Sequence, residues 1–183
     1  MKTIREYRFE SLKVEVVSAH ENGISLNDFN SKLVYQRQVS DVYYESKGLG
    51  KVYRSQDGVP FIAAEGIEIS ISHCGDLFAY ASSNKVVGVD IEIMNRDLQK
   101  HRSYFMSDND CLPEEMTNEL WYVCWCAKEA LYKLLHGKVP SYSKGLIIKQ
   151  IDAATRTLKI AHEKREYEGR FEIFDGHSLV WIA

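Results

Sequence analysis

Asp90 and Glu92 stand two residues apart in the apolar stretch KVVGVDIEI (residues 85–93), and Glu129 stands between Lys128 and Lys133 in WCAKEALYK (residues 125–133). Side chains alternate between faces along an extended strand, so Asp90 and Glu92 project the same way, about 7 Å apart at the backbone. Gly88 falls on that face and leaves room beside them. Three carboxylates from two elements are the donors a hard divalent cation such as Mg²⁺ takes, with water and phosphate oxygens in its other positions. In ISISHC (residues 69–74) the Ser72 hydroxyl and the His73 imidazole can donate to phosphate oxygens. Taken singly, each group has a plainer reading. The strand acids suit a solvated face, Glu129 with Lys133 suits an i, i+4 helix pair worth a few tenths of a kcal/mol, and a strand-end histidine suits a structural hydrogen bond. Together they suggest a cation holding a phosphorylated ligand.

Other chemistries lack their residues. There is no GxSxG elbow for a Ser-His-Asp hydrolase, no Walker loop and no GxGxxG. A net charge of −3 argues against a dedicated nucleic-acid binder. No run approaches the ~20 apolar residues of a membrane span, and MKTIREYRFESLK has no apolar signal core, so a cytoplasmic protein is expected. Cys74, Cys111, Cys124 and Cys126 include no CxxC and no zinc-like spacing with histidine, which predicts reduced thiols. Charge is nonetheless uneven. Asp108 to Glu119 is acidic, and Lys128 to Lys149 carries five lysines against Glu129 alone. Helix-end electrostatics and a basic mouth for phosphates or an acidic partner account for this equally well.

The elements that must position these groups follow from periodicity and turn chemistry. At 183 residues, 45 % of them hydrophobic, the chain can bury a sizeable core. Strands are predicted over 4–9 and 13–18, a helix from Ser25 or Asn27 to about Glu45, and short strands at 51–54 and 59–62 around the Ser55–Gly58 turn. Strands over 67–72, 77–82 and 86–93 follow closely enough to predict an antiparallel meander. A short helix is expected near 98–105. The main helix opens at Pro113 or Thr117, runs to about His136 and stops at Gly137. Its apolar stripe is Leu120, Cys124, Ala127, Leu131 and Leu134, and Glu129 with Lys133 lies opposite, flanked by Tyr122, Trp125 and Tyr132. A lysine-rich loop over 137–145 leads to four strands, 146–151, 157–163, 168–174 and 178–182. The order strand, helix, several strands thus occurs twice, which predicts an α+β chain of two similar halves, 1–86 and 87–183.

ISISHC, GVDIE and WCAKEALYK, in this order and at these separations, resemble the motifs of the 4'-phosphopantetheinyl transferases, in particular the larger, monomeric, surfactin-synthetase-activating type. The resemblance covers roughly residues 50–150. It implies a fold of two pseudo-twofold-related halves, each an antiparallel sheet packed on a long helix, with coenzyme A in the cleft between them. It also implies Mg²⁺-dependent transfer of phosphopantetheine from coenzyme A to a serine of an acyl or peptidyl carrier protein, releasing 3',5'-ADP. Matched motif by motif, Asp90, Glu92 and Glu129 would ligate Mg²⁺, and Ser72, His73, Lys128 and Lys133 would bind coenzyme A. Asp90, Glu129 and Lys133 would carry the chemistry, with Glu129 as general base. Two positions depart from the pattern. Gly58-Val59-Pro60 stands where the family often has G-K-P, and the segment from Phe105 to Asp110 ends in a shorter acid than the family's F-S-x-x-E. Lys47, Lys51 and Arg54 are candidates for the 3'-phosphate by charge alone. Lys138 and Lys144 are candidates for docking an acidic carrier. The rival expectations are a non-catalytic relative that binds coenzyme A or a carrier protein, and a metal-dependent nuclease, which would need a basic groove.

Overall fold

Short apolar runs with turn residues between them set up the first half. β1 (Arg5–Phe9) and β2 (Leu12–Ser18) form a hairpin, and α1 (Lys32–Ser46) follows, its first turn capped by the Ser31 hydroxyl accepting from the Val34 N–H. β3 (Val52–Arg54) and β4 (Pro60–Ile62) make a two-stranded ribbon. β5 (Glu68–Cys74) and β6 (Leu77–Ser83) complete an antiparallel sheet in the order β1-β2-β6-β5. β7 (Gly88–Ile93) opens the second half. After a 3-10 segment at Leu98–Tyr104 come α2 (Asn118–Leu134), the four-residue α3 (Tyr142–Gly145), β8 (Ile147–Asp152), β9 (Thr157–His162), β10 (Arg165–Phe174) and β11 (His177–Ile182). The second sheet runs β7-β11-β10-β9-β8, every pair antiparallel. This computed structural model describes all 183 residues.

Both sheets are apolar on both faces, so the chain stacks in four layers. Val17, Phe78 and Tyr80 pack on Tyr35, Val39 and Tyr43 of α1. The opposite face of the same strands, Val14, Val16, Ala79 and Ala81, meets Val89, Ile91, Leu179 and Trp181 of the second sheet. Val180 and Ile182, one residue out of step with Leu179 and Trp181, face α2 and join Ala127, Ala130 and Leu131. Burying each such side chain stabilises the fold by about 1.5–3 kcal/mol. The hairpin also grips the second half, with Tyr7 stacked on Trp181 at 5.0 Å and Arg170 over the Phe9 ring.

Each half repeats one pattern. A strand (β2, β7) leads to the helix packed on its own sheet (α1, α2), and the last strand of the half (β6, β11) returns to pair with it. The predicted α+β class, antiparallel sheets each carrying one long helix, is what the chain adopts.

Several local expectations are corrected. The three-strand meander breaks after β6, because β7 pairs with β11 in the other sheet. Beside β5, the β7 backbone is met by a side chain instead: the Ser70 hydroxyl accepts from the Val89 N–H at 3.0 Å. The first helix starts at Lys32. Ser25 caps a separate 3-10 turn, Leu26–Asp28, in a closed capping box with Asp28, and extended Phe29 ends it. Thr117, not Pro113, caps α2. α2 ends in two successive left-handed residues, His136 (φ 54°) and Gly137 (φ 75°), which turn the lysine-rich loop back over the helix. Within that loop lies α3, which no periodicity announced.

Candidate active site

Close approach of β7 to α2 builds the site. A Cβ on Gly88 would sit 1.9 Å from the Ala130 carbonyl oxygen, so only glycine lets the strand lie directly on the helix. Asp90, next on that face, is 4 % exposed. Its Oδ1 accepts from the Ser72 hydroxyl at 2.7 Å and from Lys133 Nζ at 2.7 Å, and Lys133 also donates to the Val89 carbonyl at 3.1 Å. Asp90 Oδ2 is buried without any hydrogen-bond partner. Lys133 therefore belongs to Asp90 across the interface. The i, i+4 pairing with Glu129 that spacing suggested is absent from the ion pairs. β5 and α2 thus contribute one donor each to a single carboxylate on β7.

Glu92 and Glu129 flank it, half-buried. Glu92 accepts from the Trp125 indole N–H at 3.2 Å. Burial first, and then the charge of Asp90, raises the pKa of both acids above the usual range, with Lys133 pulling the other way. The Tyr142 phenol lies beside Glu129, where it favours the carboxylate, and burial foremost, then the Glu129 charge, push the phenol's own pKa up. As the rotamers stand, no three His, Cys, Asp or Glu side chains are drawn together as a ligand set. The donor chemistry nevertheless fits a hard cation: an orphaned carboxylate oxygen and two further acids, each destabilised by the charge of the first.

Lys128 does not join this group. It is fully buried, and its Nζ donates to Asp110 Oδ2 at 2.9 Å, a pair in which neither side chain has solvent access. Asp110 also accepts from the backbone N–H of Ser107 and of Ile148. The shorter acid at the end of the 105–110 segment is thus the hub that ties this loop to β8 and α2. Lys128, expected to contact coenzyme A, thus has its ammonium paired inside the core.

Ser72 and His73 fall on opposite faces of β5, Ser72 toward Asp90 and His73 beside Phe78, at 5.5 Å between rings. Burial, then the charges of Lys32 and Lys133, lower the His73 pKa, which favours the neutral imidazole. Of the three cations proposed by charge, Lys47 is taken by Glu15 at 2.7 Å, Lys51 is exposed, and Arg54 lines a cleft of about 250 Å³ with Val59, Ser70, Lys133 and His136. That cleft runs between the β3–β4 ribbon and the end of α2 and reaches the acid cluster through Lys133. A larger groove of about 780 Å³ lies at the β1–β2 turn beside Trp181 and has no carboxylate cluster. Size alone would have chosen it, and the chemistry does not. Sequence reasoning missed the contacts from Trp125 and Tyr142. The first is signalled only by its i−4 spacing from Glu129, and the second has no local signal.

A family model described as the 4'-phosphopantetheinyl transferase superfamily matches residues 86–180, from the start of β7 into β11. The chain belongs to that superfamily. The matched segment holds Asp90, Glu92, Glu129 and Lys133, whereas Ser72, His73 and the cleft residues of the β3–β4 ribbon lie before it. Among curated proteins, a putative 4'-phosphopantetheinyl transferase of Haemophilus influenzae is 28 % identical over 99 residues, covering 46 % of this chain and 40 % of that protein. The chain thus aligns with less than half the length of this superfamily relative. No helix is long and apolar enough to cross a membrane.

Proposed function

We propose that this protein transfers the 4'-phosphopantetheine group of coenzyme A to a serine hydroxyl of an apo acyl or peptidyl carrier protein and releases 3',5'-ADP, as a transferase of the larger, surfactin-synthetase-activating type. The observation that carries this reading is the buried, unpartnered Oδ2 of Asp90, set between Glu92, Glu129 and Lys133 in the segment that matches the superfamily. Asp90, Glu92 and Glu129 would hold Mg²⁺. When bound, the cation polarises phosphoryl oxygens and neutralises charge that develops on them.

The chain's own residues account for the other parts of the reaction. Lys133 at the cleft wall would supply a donor for the diphosphate, Arg54 in the same cleft would meet a second phosphate, and neutral His73 would have to reach the ligand from the other face of β5. Ser72 orients Asp90 through its hydroxyl. Glu129 would accept the proton of the attacking serine, since burial makes its carboxylate a better base than a solvated one. The two halves, 1–86 and 87–183, would act as the two walls of the coenzyme A site within a single chain, so a monomer suffices. Lys138 and Lys144 are exposed and make no ion pair, which leaves them available to an acidic carrier. Exchanging both for Glu is expected to raise KM for the carrier with little change in kcat.

The decisive experiment incubates the protein with coenzyme A, Mg²⁺ and several apo carrier proteins from fatty-acid and peptide synthetases. Mass spectrometry should show one phosphopantetheine added to the carrier. No addition to any of them would favour a binding-only relative. Mg²⁺-dependent nicking of plasmid DNA would favour a nuclease.

A further inference from the structure

At 100° per residue, Trp125, Glu129 and Tyr132 fall within a stripe of about 60° on α2. The Tyr142 ring stacks on both aromatics, at 5.9 Å from Trp125 and 5.0 Å from Tyr132, so it spans the turn that carries Glu129 between them. Phe105 closes the far side of Trp125 edge-on at 5.4 Å. The loop that delivers Tyr142 is pinned at both ends. Val139 is buried in the α2 core, a Cβ on Gly145 would meet Val139 Cγ1 at 2.8 Å, and the Gly145 carbonyl lies 2.8 Å from His162 Nδ1. Between the pins, the Ser141 hydroxyl accepts from the Lys144 N–H. Tyr142 is therefore held over the acids by fixed packing.

Each flanking acid has one polar group of this aromatic row beside it: the Trp125 indole N–H donates to Glu92 at 3.2 Å, and the Tyr142 ring, stacked across the turn that carries Glu129, brings its phenol next to that acid. The Trp125 contact engages Oε1 of Glu92 and no bond holds its other oxygen. Without these two groups, two half-buried carboxylates beside Asp90 would gain by rotating away from one another.

We propose that Trp125 and Tyr142 are positioning residues that keep Glu92 and Glu129 beside Asp90, from where the two acids can turn onto a divalent cation. This rests on the metal reading given above and adds to it two residues that touch neither cation nor substrate. Hydrogen bonds behind metal-binding side chains commonly affect affinity by about 10- to 100-fold when removed. The stack allows each donor to be deleted with a ring retained, by Tyr142→Phe and by Trp125→Phe.

The test titrates Mn²⁺ alone, followed by the electron paramagnetic resonance signal of the free ion, into wild type, Tyr142→Phe, Trp125→Phe and Glu129→Gln, with a thermal melt of each. Wild type should bind saturably, and Glu129→Gln should lose the site. Both ring-retaining variants should bind about tenfold or more weakly at an unchanged melting temperature. Wild-type affinity in both, with loss only in Glu129→Gln, would overturn the positioning role and leave the metal reading standing. A lowered melting temperature in proportion to lost affinity would also overturn it, because packing would then be the cause. No saturable binding by wild type would overturn the metal reading and this proposal together.

Discussion

Two buried acids occupy matching places in the two halves and meet opposite fates. Glu15 lies on β2, faces α1 and pairs across the sheet with Tyr80, while Asp90 lies on β7, faces α2 and pairs across with Val180. Glu15, 2 % exposed, is saturated: it accepts from Thr3 and Tyr43 and is bridged by Lys13 and Lys47. Burial alone would raise its pKa, but bonds from Lys13, Lys47, Tyr43 and Thr3 outweigh it and hold the carboxyl down at about 2. Asp90 keeps one oxygen with no partner, and its neighbours are two more acids. A closed network stores stability, and an open one leaves a site that an incoming cation can complete. The same architecture thus carries a structural acid in one half and a chemical one in the other.

The strongest way to break this contrast is to neutralise each acid in turn. Asp90→Asn is expected to lower kcat for carrier modification about 10³-fold with the fold intact, whereas Glu15→Gln should leave kcat unchanged. Equal losses of activity in the two variants would erase the distinction. Next in size is Lys128→Met, which strands Asp110 in the core without its cation. Urea denaturation should show a loss of about 3–5 kcal/mol. Gly88→Ala should cost about 1–3 kcal/mol by forcing β7 away from the Ala130 carbonyl, and should also weaken turnover by moving Asp90 off Lys133. A silent substitution there would mean that the strand does not press on the helix.

The smallest effect belongs to Glu15. Glu15→Gln should lower stability by about 1 kcal/mol near neutral pH. A carboxylate with a depressed folded pKa contributes stability that is complete above its unfolded value of about 4.5 and is lost as pH falls toward about 2. Melting temperatures of wild type should therefore fall more steeply across that window than those of Glu15→Gln. Parallel curves would show that the network around Glu15 is weaker than its geometry implies.

Much of the site was legible locally. The period-two pattern of residues 86–93 placed Gly88, Asp90 and Glu92 on one face, and residues 118–134 read as a helix with Glu129 and Lys133 on its less apolar side. Spacing of that kind is set by backbone geometry, which neighbours in sequence control. Partner choice was less legible. Lys133 has Glu129 one turn away and pairs with Asp90, and Lys128, beside Glu129 in the motif, pairs with Asp110.

By itself, then, the sequence determined which residues share a face and which motifs relate the chain to its superfamily, because both depend on short-range order. Only the tertiary structure decided that β7 would leave the meander for β11, that Ser72 and Lys133 would meet on one oxygen of Asp90, and that Tyr142 would return across Glu129. Those outcomes depend on which buried groups find partners when the layers stack. That competition is settled among residues 18 to 43 positions apart for the Asp90 contacts, distances over which strand and helix periods carry no information.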